Sequence, residues 1–377
     1  MTFTTAAFRS PKLVLIALAI VVAGASLAAM RLGQTHTVLL GFIGTLSGGN
    51  THTAMQCLDG AVLAVEDCNA SGGIDGAQVR LDVADDRRDP AIAAQIVDNF
   101  AKLGYWAVIG PTSALVAQDA ASAAGNQHLL LISPTISTDA CTKPSDSFAS
   151  VRPALTVAAD SIARHLRYKR NLLRTAIVME TASGQNVEDI LRQAFTASGV
   201  ACAGVFRIDG TSTDYADLAS QVADTDADSV MILASGVETG MFLQHLRHLG
   251  CTLPTITYEP ASTQDLIAYG GRAAEGITVI TSIAPHADSE RYRTFGERFQ
   301  KRFGRAPDVA GIHSYEATRV ALLSIAQSPS REEARRVMLS RQWFDGLQGR
   351  ISMGRSGSPR RELLATQLRN GVFTVSE

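Results

Sequence analysis

The feature of this 377-residue chain that most constrains its fold is an alternation of short β-branched apolar runs with amphipathic segments. The first series starts at 38–44 and continues through apolar runs at 78–84, 105–109 and 129–132. Each run leads into a segment with helical periodicity, which is the pattern of consecutive strand–helix units. Strands connected by helices in this way form a parallel sheet with helices on both faces.

The alternation pauses around 148–153 and then begins again with a helical segment at 155–168. The second series contains apolar runs at 175–179, 203–208, 229–233, 254–258 and 276–280. Because the same arrangement occurs twice, the sequence predicts an α/β protein made of two doubly wound parallel-sheet lobes.

The order of elements changes after the second series. Three helices are predicted in succession, at about 289–303, 308–327 and 331–339. The tail from Gly349 predicts two short strands around an Asn370-Gly371 turn. A chain that completes a second lobe and then continues with helices is expected to cross back to the first lobe.

The amino terminus has the three-part pattern of an export signal. An uncharged apolar run, Leu13–Met30, follows Arg9 and Lys12, and small residues crowd its far end. We assign residues 1–34 to a signal peptide or N-terminal anchor, since about eighteen apolar residues are just enough to span a bilayer if the segment is not cleaved.

Composition excludes several classes of protein. The chain has 34 Lys+Arg against 36 Asp+Glu, so it lacks the basic excess that a nucleic-acid-binding protein needs to neutralise phosphates. Five cysteines are too few for a disulfide scaffold in a chain of this length, and their odd number leaves at least one thiol without an intramolecular partner.

Motifs of catalysis and cofactor binding are absent from the sequence. It contains no G-x-G-x-x-G or P-loop glycine pattern, no G-x-S-x-G on a strand-to-helix turn and no H-E-x-x-H. His245 and His248 share one face of a predicted helix, but no third ligand accompanies them. We therefore predict a protein that is not an enzyme and has neither a cofactor nor a metal.

Polar loops follow several of the predicted strands. Ser47, Thr51 and Thr53 stand at a helix amino terminus after the first strand, where free amides can bind a carboxylate or simply cap the helix. Residues 133–137, with three hydroxyls, follow the fourth strand, at the end of an open sheet where ligands bind. The acidic cluster 85–89 predicts a solvated loop in which Asp89 caps the next helix.

In the second lobe, Glu259 follows Tyr258 at the end of a strand. A carboxylate that faces the cleft between the lobes suits a ligand ammonium group. An exposed loop acid is the alternative interpretation, because a lone glutamate lies most often on the surface.

Short motifs along the whole chain after the leader point to one family by their order and spacing. They are Gly44–Gly49, Asp59–Ala61, Asn69–Ile74, Asp85-Asp86 with Asp89-Pro90, Val108–Pro111, Ile132–Thr135, Ala274–Gly276, Phe303–Pro307 and Ser314–Ala317. Together they resemble the periplasmic binding proteins for branched-chain amino acids and related solutes, the type I "Venus flytrap" family that serves ABC importers.

The resemblance implies two lobes joined by three crossovers that close on a small-molecule solute. It places 35–151 and 281–345 in the first lobe, and 152–280 and 346–377 in the second. It also implies a periplasmic location and an ABC permease as partner. A membrane-anchored periplasmic sensor of the same fold is the alternative, in which the apolar run 13–30 stays attached.

The resemblance also carries over individual ligand contacts. It assigns the ligand's α-ammonium to Glu259 and two further contacts to Thr135 and Ser137. The serine that holds the α-carboxylate in the family corresponds here to Ala114, with Ser113 one position earlier. The loop therefore slips by one residue or that contact is lost.

The expected pocket for the ligand side chain has smaller walls than in the family. Thr53, Ser183 and Val237 stand where the family often has aromatic residues, and Tyr258 completes the predicted set. We expect an amino acid or amide-like ligand that differs from leucine or is larger than it.

Overall fold

The structure, a computed structural model, describes residues 37–48, 51–142, 146–285, 289–341, 343–354 and 357–376. The predicted export signal lies outside the described residues. Within the described ranges, no helix combines the length and the hydropathy that crossing a membrane requires.

The first lobe is built on a five-stranded parallel sheet with the strand order β2-β1-β3-β4-β5. Its strands are β1 (Val38–Gly44), β2 (Val79–Asp85), β3 (Ala107–Ile109), β4 (Leu130–Ser133) and β5 (Phe148–Ser150). Its first helices are α1 (His52–Ala70), α2 (Pro90–Lys102) and α3 (Ala114–Asn126). The predicted strands and helices are confirmed, whereas β5 falls where the sequence pattern pauses.

The second lobe repeats this arrangement. Five parallel strands have the order β7-β6-β8-β9-β10, and two antiparallel strands extend the sheet beside β10. The strands are β6 (Arg174–Glu180), β7 (Ala201–Ile208), β8 (Ser229–Leu233), β9 (Thr255–Tyr258), β10 (Thr278–Thr281), β14 (Leu364–Arg369) and β15 (Val372–Val375). The helices are α4 (Leu155–Arg164), α5 (Gly184–Ser198), α6 (Tyr215–Ala223), α7 (Gly236–His248) and α8 (Gln264–Gly270). The repeated strand order confirms the two doubly wound lobes.

Three helices follow β10 and return the chain to the first lobe. They are α9 (Glu290–Phe303), α10 (Val309–Ile325) and α11 (Ala334–Ser340). Ala317 and Val320 of α10 share an apolar core with Leu40 and Phe42 of β1. The chain therefore crosses between the lobes three times, at about 151–154, 282–284 and 361–363.

A small three-stranded sheet, which the sequence pattern did not reveal, precedes the last crossover. It consists of β11 (Phe344–Asp345), β12 (Arg350–Met353) and β13 (Pro359–Arg360). Ile351 and Met353 lie in the core of the first lobe. We therefore propose that the chain enters the second lobe after Arg361, and not at 346 as the sequence suggested.

Helix α2 shows how local sequence sets an element boundary. The Asp89 carboxylate accepts hydrogen bonds from the N–H groups of Ala91 at 2.8 Å and Ile92 at 3.1 Å. Pro90 occupies the first helical position, where an N–H has no intrahelical partner to lose. The predicted cap is confirmed.

Helices α1 and α10 approach each other closely at a pair of glycines. A Cβ atom on Gly60 would lie 2.3 Å from the carbonyl oxygen of Gly311 and 2.9 Å from the backbone nitrogen of Tyr315. Backbone atoms cannot move aside as side chains do, so this contact requires glycine at position 60. Gly296 of α9, in contrast, faces open space.

We expect Gly60→Ala and Gly296→Ala to change stability in opposite directions. Alanine at 296 should raise the free energy of unfolding by up to about 1 kcal/mol through helix propensity. Alanine at 60 gains the same propensity, but it should lower the free energy by about 1–3 kcal/mol net because the helices must separate. Urea denaturation measures both, and equal effects would contradict the close packing of α1 on α10.

Candidate ligand-binding cleft

A cavity of about 400 Å³ lies between the two lobes, where the carboxyl ends of strands from both sheets meet. Residues after β3 and β4 form its first wall, and residues after β6, β8 and β9 form the opposite one. This is the position at which open α/β sheets bind ligands, and the volume is within the range of small-molecule pockets.

Eight of the nine predicted site residues line this cleft: Thr53, Ser113, Ala114, Thr135, Ser137, Ser183, Tyr258 and Glu259. Val237 does not line it. Helix α7 begins at Gly236, so Val237 lies in its first turn, and the loop after β8 instead presents Ala234 and Ser235 to the cleft.

The first wall contains the beginning of helix α3. Ser113 is the N-cap residue, but its side chain makes no capping hydrogen bond, and Ala114 and Leu115 are exposed in the cleft. The first-turn N–H groups of a helix have no intrahelical acceptors, so they are available to an anion. Ala114 has no hydroxyl to offer a ligand, whereas Ser113 beside it does.

The loop after β4 is held by a buried serine. Ser133 Oγ donates to the carbonyl oxygen of Pro111 at 2.7 Å and accepts from the N–H groups of Thr135 at 3.2 Å and Ile136 at 2.9 Å. The Thr135 amide is therefore already satisfied within the loop. The Ser137 hydroxyl lines the cleft without a hydrogen bond to any described residue.

The acidic cluster after β2 organises the neighbouring loop. Asp86 is fully buried and accepts a hydrogen bond from Thr45 Oγ1 at 2.7 Å, so the predicted solvated loop is wrong for this residue. Asp85 accepts from the N–H groups of Leu46 at 2.9 Å and Ser47 at 3.3 Å. The Ser47 amide, which was expected to be free for a ligand after β1, is therefore bound within the protein.

Glu259 has partners of its own inside the protein. It is 1% exposed, which excludes the exposed-loop interpretation. Its Oε1 accepts from Ser282 N at 2.8 Å, Ser282 Oγ at 2.7 Å and Thr281 Oγ1 at 3.1 Å. Burial alone would raise its pKa, but nearby His313, Arg152 and the Ser282 hydroxyl outweigh burial and hold the pKa well below the ordinary value. Glu259 is therefore a buried carboxylate ion.

Arg152, in the first crossover, is the cationic partner of Glu259. Its Nε lies 3.3 Å from Glu259 Oε2, and its Nη1 donates to the carbonyl oxygen of Thr135. The guanidinium carbon lies 4.8 Å from the centre of the Tyr258 ring. The side chain is 8% exposed and lines the cleft. No motif marks this arginine in the sequence, since it lies where the strand–helix alternation pauses.

The charged contacts continue from Glu259 into the first lobe. His313 Nε2 lies 3.2 Å from Glu259 Oε1, and Arg361 Nη1 lies 3.3 Å from His313 Nδ1. Arg361 Nη2 lies 2.7 Å from Glu316 Oε2. We call the five side chains Arg152, Glu259, His313, Glu316 and Arg361 the hinge charge row, because Arg152 and Arg361 stand in the first and third crossovers and Glu259 is bonded to the second.

Glu180 is a second acid that lines the cleft. Its Oε1 accepts from the N–H of Ser235 at 2.7 Å. Burial raises the pKa of Glu180, and the neighbouring Glu238 adds to this, while the Ser235 N–H and the positive charge of Arg88 lower it. Arg88, exposed on the opposite lobe, lines the same cleft. Sequence reasoning missed both residues.

The described ranges contain no group of three or more His, Cys, Asp or Glu side chains placed to hold a metal ion. His245 lies on α7 and stacks on Tyr215, with 6.0 Å between the ring centres. The five cysteines are all unpaired in the structure.

Two doubly wound lobes with a shared cleft and three crossovers define the bilobed solute-binding proteins. The sequence model of the family "Periplasmic binding protein" matches residues 37–371 of this chain. The chain belongs to this family. Its members are solute-binding proteins of transporters, and the family implies a periplasmic location.

Relatives and solved structures agree with this membership. The Leu/Ile/Val-binding protein BraC3 of Rhizobium johnstonii is 24% identical over 331 residues, covering 85% of this chain and 88% of the relative. LivJ of Streptococcus pneumoniae, a branched-chain amino acid transporter substrate-binding protein in complex with isoleucine, has a TM-score of 0.82 at 19% identity, covering 90% of this chain and 99% of that one. A solute-binding protein of an R. palustris ABC transporter in complex with benzoate has a TM-score of 0.81 at 17% identity. The match covers 90% of this chain and 95% of that one.

Stability should fall in acid because of the hinge charge row. Burial would raise the pKa of Glu316, but Arg361, His313 and the N–H of Leu347 outweigh it and lower the pKa to about 2. A carboxyl whose pKa is lower in the folded state stabilises the fold fully above its unfolded pKa of about 4.5, and this contribution is lost as the pH falls towards 2.

We expect Glu316→Gln to be less stable than wild type at pH 7, because Arg361 loses its charged partner. The stability of this variant should also depend less on pH between about 4.5 and 2. Urea unfolding across this pH range tests the prediction. Glu297→Gln, an exposed change on α9, is the control and should follow wild type. A Glu316→Gln curve parallel to wild type would show that this carboxyl does not contribute to the acid sensitivity.

Proposed function

We propose that this chain is the solute-binding component of an ABC importer and takes a small organic carboxylate, of the class that includes amino acids, between its lobes. The observation that carries the proposal is the cleft itself. Both lobes contribute polar side chains to it, and eight of the nine site residues predicted from the sequence line it.

The first lobe supplies groups suited to a carboxylate. The uncapped start of α3 offers first-turn N–H groups beside the Ser113 hydroxyl, and the Ser137 hydroxyl lines the same wall. BraC3 is named as a Leu/Ile/Val-binding protein, and the two similar solved structures contain isoleucine and benzoate. The ligands of all these proteins carry a carboxylate, which supports the same class here.

Closure of the lobes around the three crossovers is the proposed mechanism of capture. A ligand that contacts Ser137 on one lobe and Tyr258 on the other makes both sets of contacts when the lobes are together, so its binding favours the closed form. The closed form would then be presented to a membrane permease. We further propose that the bound solute is released unchanged, without a catalytic step.

A thermal-shift panel of amino acids, amides, polyamines and aromatic acids against residues 36–377 tests the proposal. The melting temperature should rise with the concentration of a true ligand, as mass action requires. If no member of the panel stabilises the protein, the proposed ligand class is wrong.

For the best ligand, we expect Ser137→Ala to weaken binding by about tenfold, the effect of a hydrogen bond to a charged group. Ser220→Ala removes an exposed hydroxyl of α6 and should bind as wild type does. Isothermal titration calorimetry measures both variants. Unchanged affinity in Ser137→Ala would remove this serine from the ligand site.

The fate of residues 1–34 separates a free carrier from an anchored sensor. We propose that the segment is an export signal, because a basic stretch, an apolar run and small residues follow in order. Mass spectrometry of the protein recovered from the periplasm should then show an amino terminus downstream of Ala23. An intact start at Met1 with membrane association would favour the sensor.

A further inference from the structure

Two of the described acidic residues line the cleft, and one of them, Glu259, forms an ion pair with an arginine of the same chain. Among the described residues that line it, Glu259 is paired with Arg152, and Glu180 lies within the electrostatic influence of Arg88. We propose, resting on the function proposed above, that the ligand is an organic carboxylate without a cationic nitrogen and that Arg152 holds its carboxylate.

Glu259 has a limited capacity to accept further hydrogen bonds. An ionised carboxylate offers about four acceptor positions. Ser282 N, Ser282 Oγ, Thr281 Oγ1 and Arg152 Nε already donate to its two oxygens, and His313 Nε2 lies 3.2 Å from Oε1. All of these except Arg152 Nε contact Oε1, so the position left for a ligand ammonium is on Oε2, next to the Arg152 guanidinium.

An ammonium that binds Oε2 would lie beside the Arg152 guanidinium or displace it. Arg152 lines the cleft and is bonded to Oε2 of Glu259. Its side chain is 8% exposed, so displacement would leave a buried guanidinium without its counter-ion. Losing one partner of a buried ion pair is strongly unfavourable. Amino acids would therefore bind with their ammonium beside a like charge, or at the expense of an internal ion pair.

The guanidinium of Arg152 still has a free donor. Nε and Nη1 are bonded within the protein, whereas Nη2 makes no hydrogen bond to a described residue. The Tyr258 side chain lines the cleft, and its buried hydroxyl makes no hydrogen bond of normal geometry to a described residue, although it interacts electrostatically with the Arg152 guanidinium. Both groups can donate to a carboxylate.

Two helix amino termini add to the preference for an anion. Helices α3 and α5, of 13 and 15 residues, start at Ser113 and Ser183 on opposite sides of the cleft, and neither serine caps its helix. The partial positive charge of each helix start favours an anionic ligand. Arg152, Tyr258 and the two helix starts thus all suit a carboxylate, while Glu259 already has a cationic partner.

Matched ligands test the inference directly. We would titrate the mature chain with 3-phenylpropanoate, L-phenylalanine and 2-phenylethylamine, and with the aliphatic pair 4-methylpentanoate and L-leucine. Each carboxylate should bind about tenfold or more tightly than the amino acid of the same skeleton, because the ammonium competes with Arg152 for Glu259. The amine, which lacks a carboxylate, should not bind.

Variants distinguish the role of Arg152 in ligand binding from that of Glu259. If Glu259 binds a ligand ammonium, Glu259→Gln should lose affinity for L-phenylalanine. If Arg152 binds the carboxylate, Glu259→Gln should retain or gain affinity for 3-phenylpropanoate. Because a single change leaves one buried charge unpaired, the double variant Arg152→Met with Glu259→Gln removes both charges. It should fold and lose at least about tenfold in affinity for the carboxylate. Arg302→Gln, an exposed arginine paired with Glu66, is the control and should bind as wild type.

The outcomes distinguish this inference from the proposed function. Tighter binding of amino acids than of their matched carboxylates would overturn the inference and leave solute binding in place. Full carboxylate affinity in the double variant would likewise overturn the role of Arg152. If neither ligand class nor the wider panel binds, both the inference and the proposed function fail.

Discussion

A buried row of four charged side chains and one histidine connects the ligand cleft to the places where the chain passes between lobes. Arg152, Glu259, His313, Glu316 and Arg361 follow one another at 2.7 to 3.8 Å, and both glutamates are almost fully buried. Buried charges are tolerated when each has a partner, because the low-dielectric interior makes an isolated ion very costly. The relative position of the crossovers therefore depends on every member being in place.

This arrangement couples ligand binding to the hinge in a physical way. Arg152 lines the cleft and lies in the first crossover, Ser282 of the second crossover donates to Glu259, and Arg361 of the third contacts His313. A ligand that contacts Arg152 thus contacts a group bonded to the connecting segments. A change in lobe orientation must preserve these pairs or exchange their partners, which restricts motion to a few defined arrangements.

Much of the fold could be predicted from the sequence because its determinants are local. The apolar run of β8 and the Asp89-Pro90 start of α2 are set by hydrophobic periodicity and capping, which depend on neighbouring residues. The short strand β5 and the sheet β11-β12-β13 were missed because such short segments carry no periodicity of their own. Their pairing depends on distant residues, as when the N–H of Ser150 donates to the carbonyl oxygen of Gly357 at 2.8 Å.

The sequence by itself determined two repeated lobes, membership in a family by resemblance, and the loops that line the cleft, including Ser113, Thr135, Ser137 and Glu259. These follow from strand ends and short motifs, which are properties of contiguous residues. Tertiary structure alone decided the electrostatic character of the cleft. From the sequence, Glu259 is predicted to be an acid without a partner. In the structure it is paired with Arg152, 107 residues away, because the first crossover brings the arginine next to the second lobe. Charge pairing depends on distance in space, which the order of residues along the chain does not record.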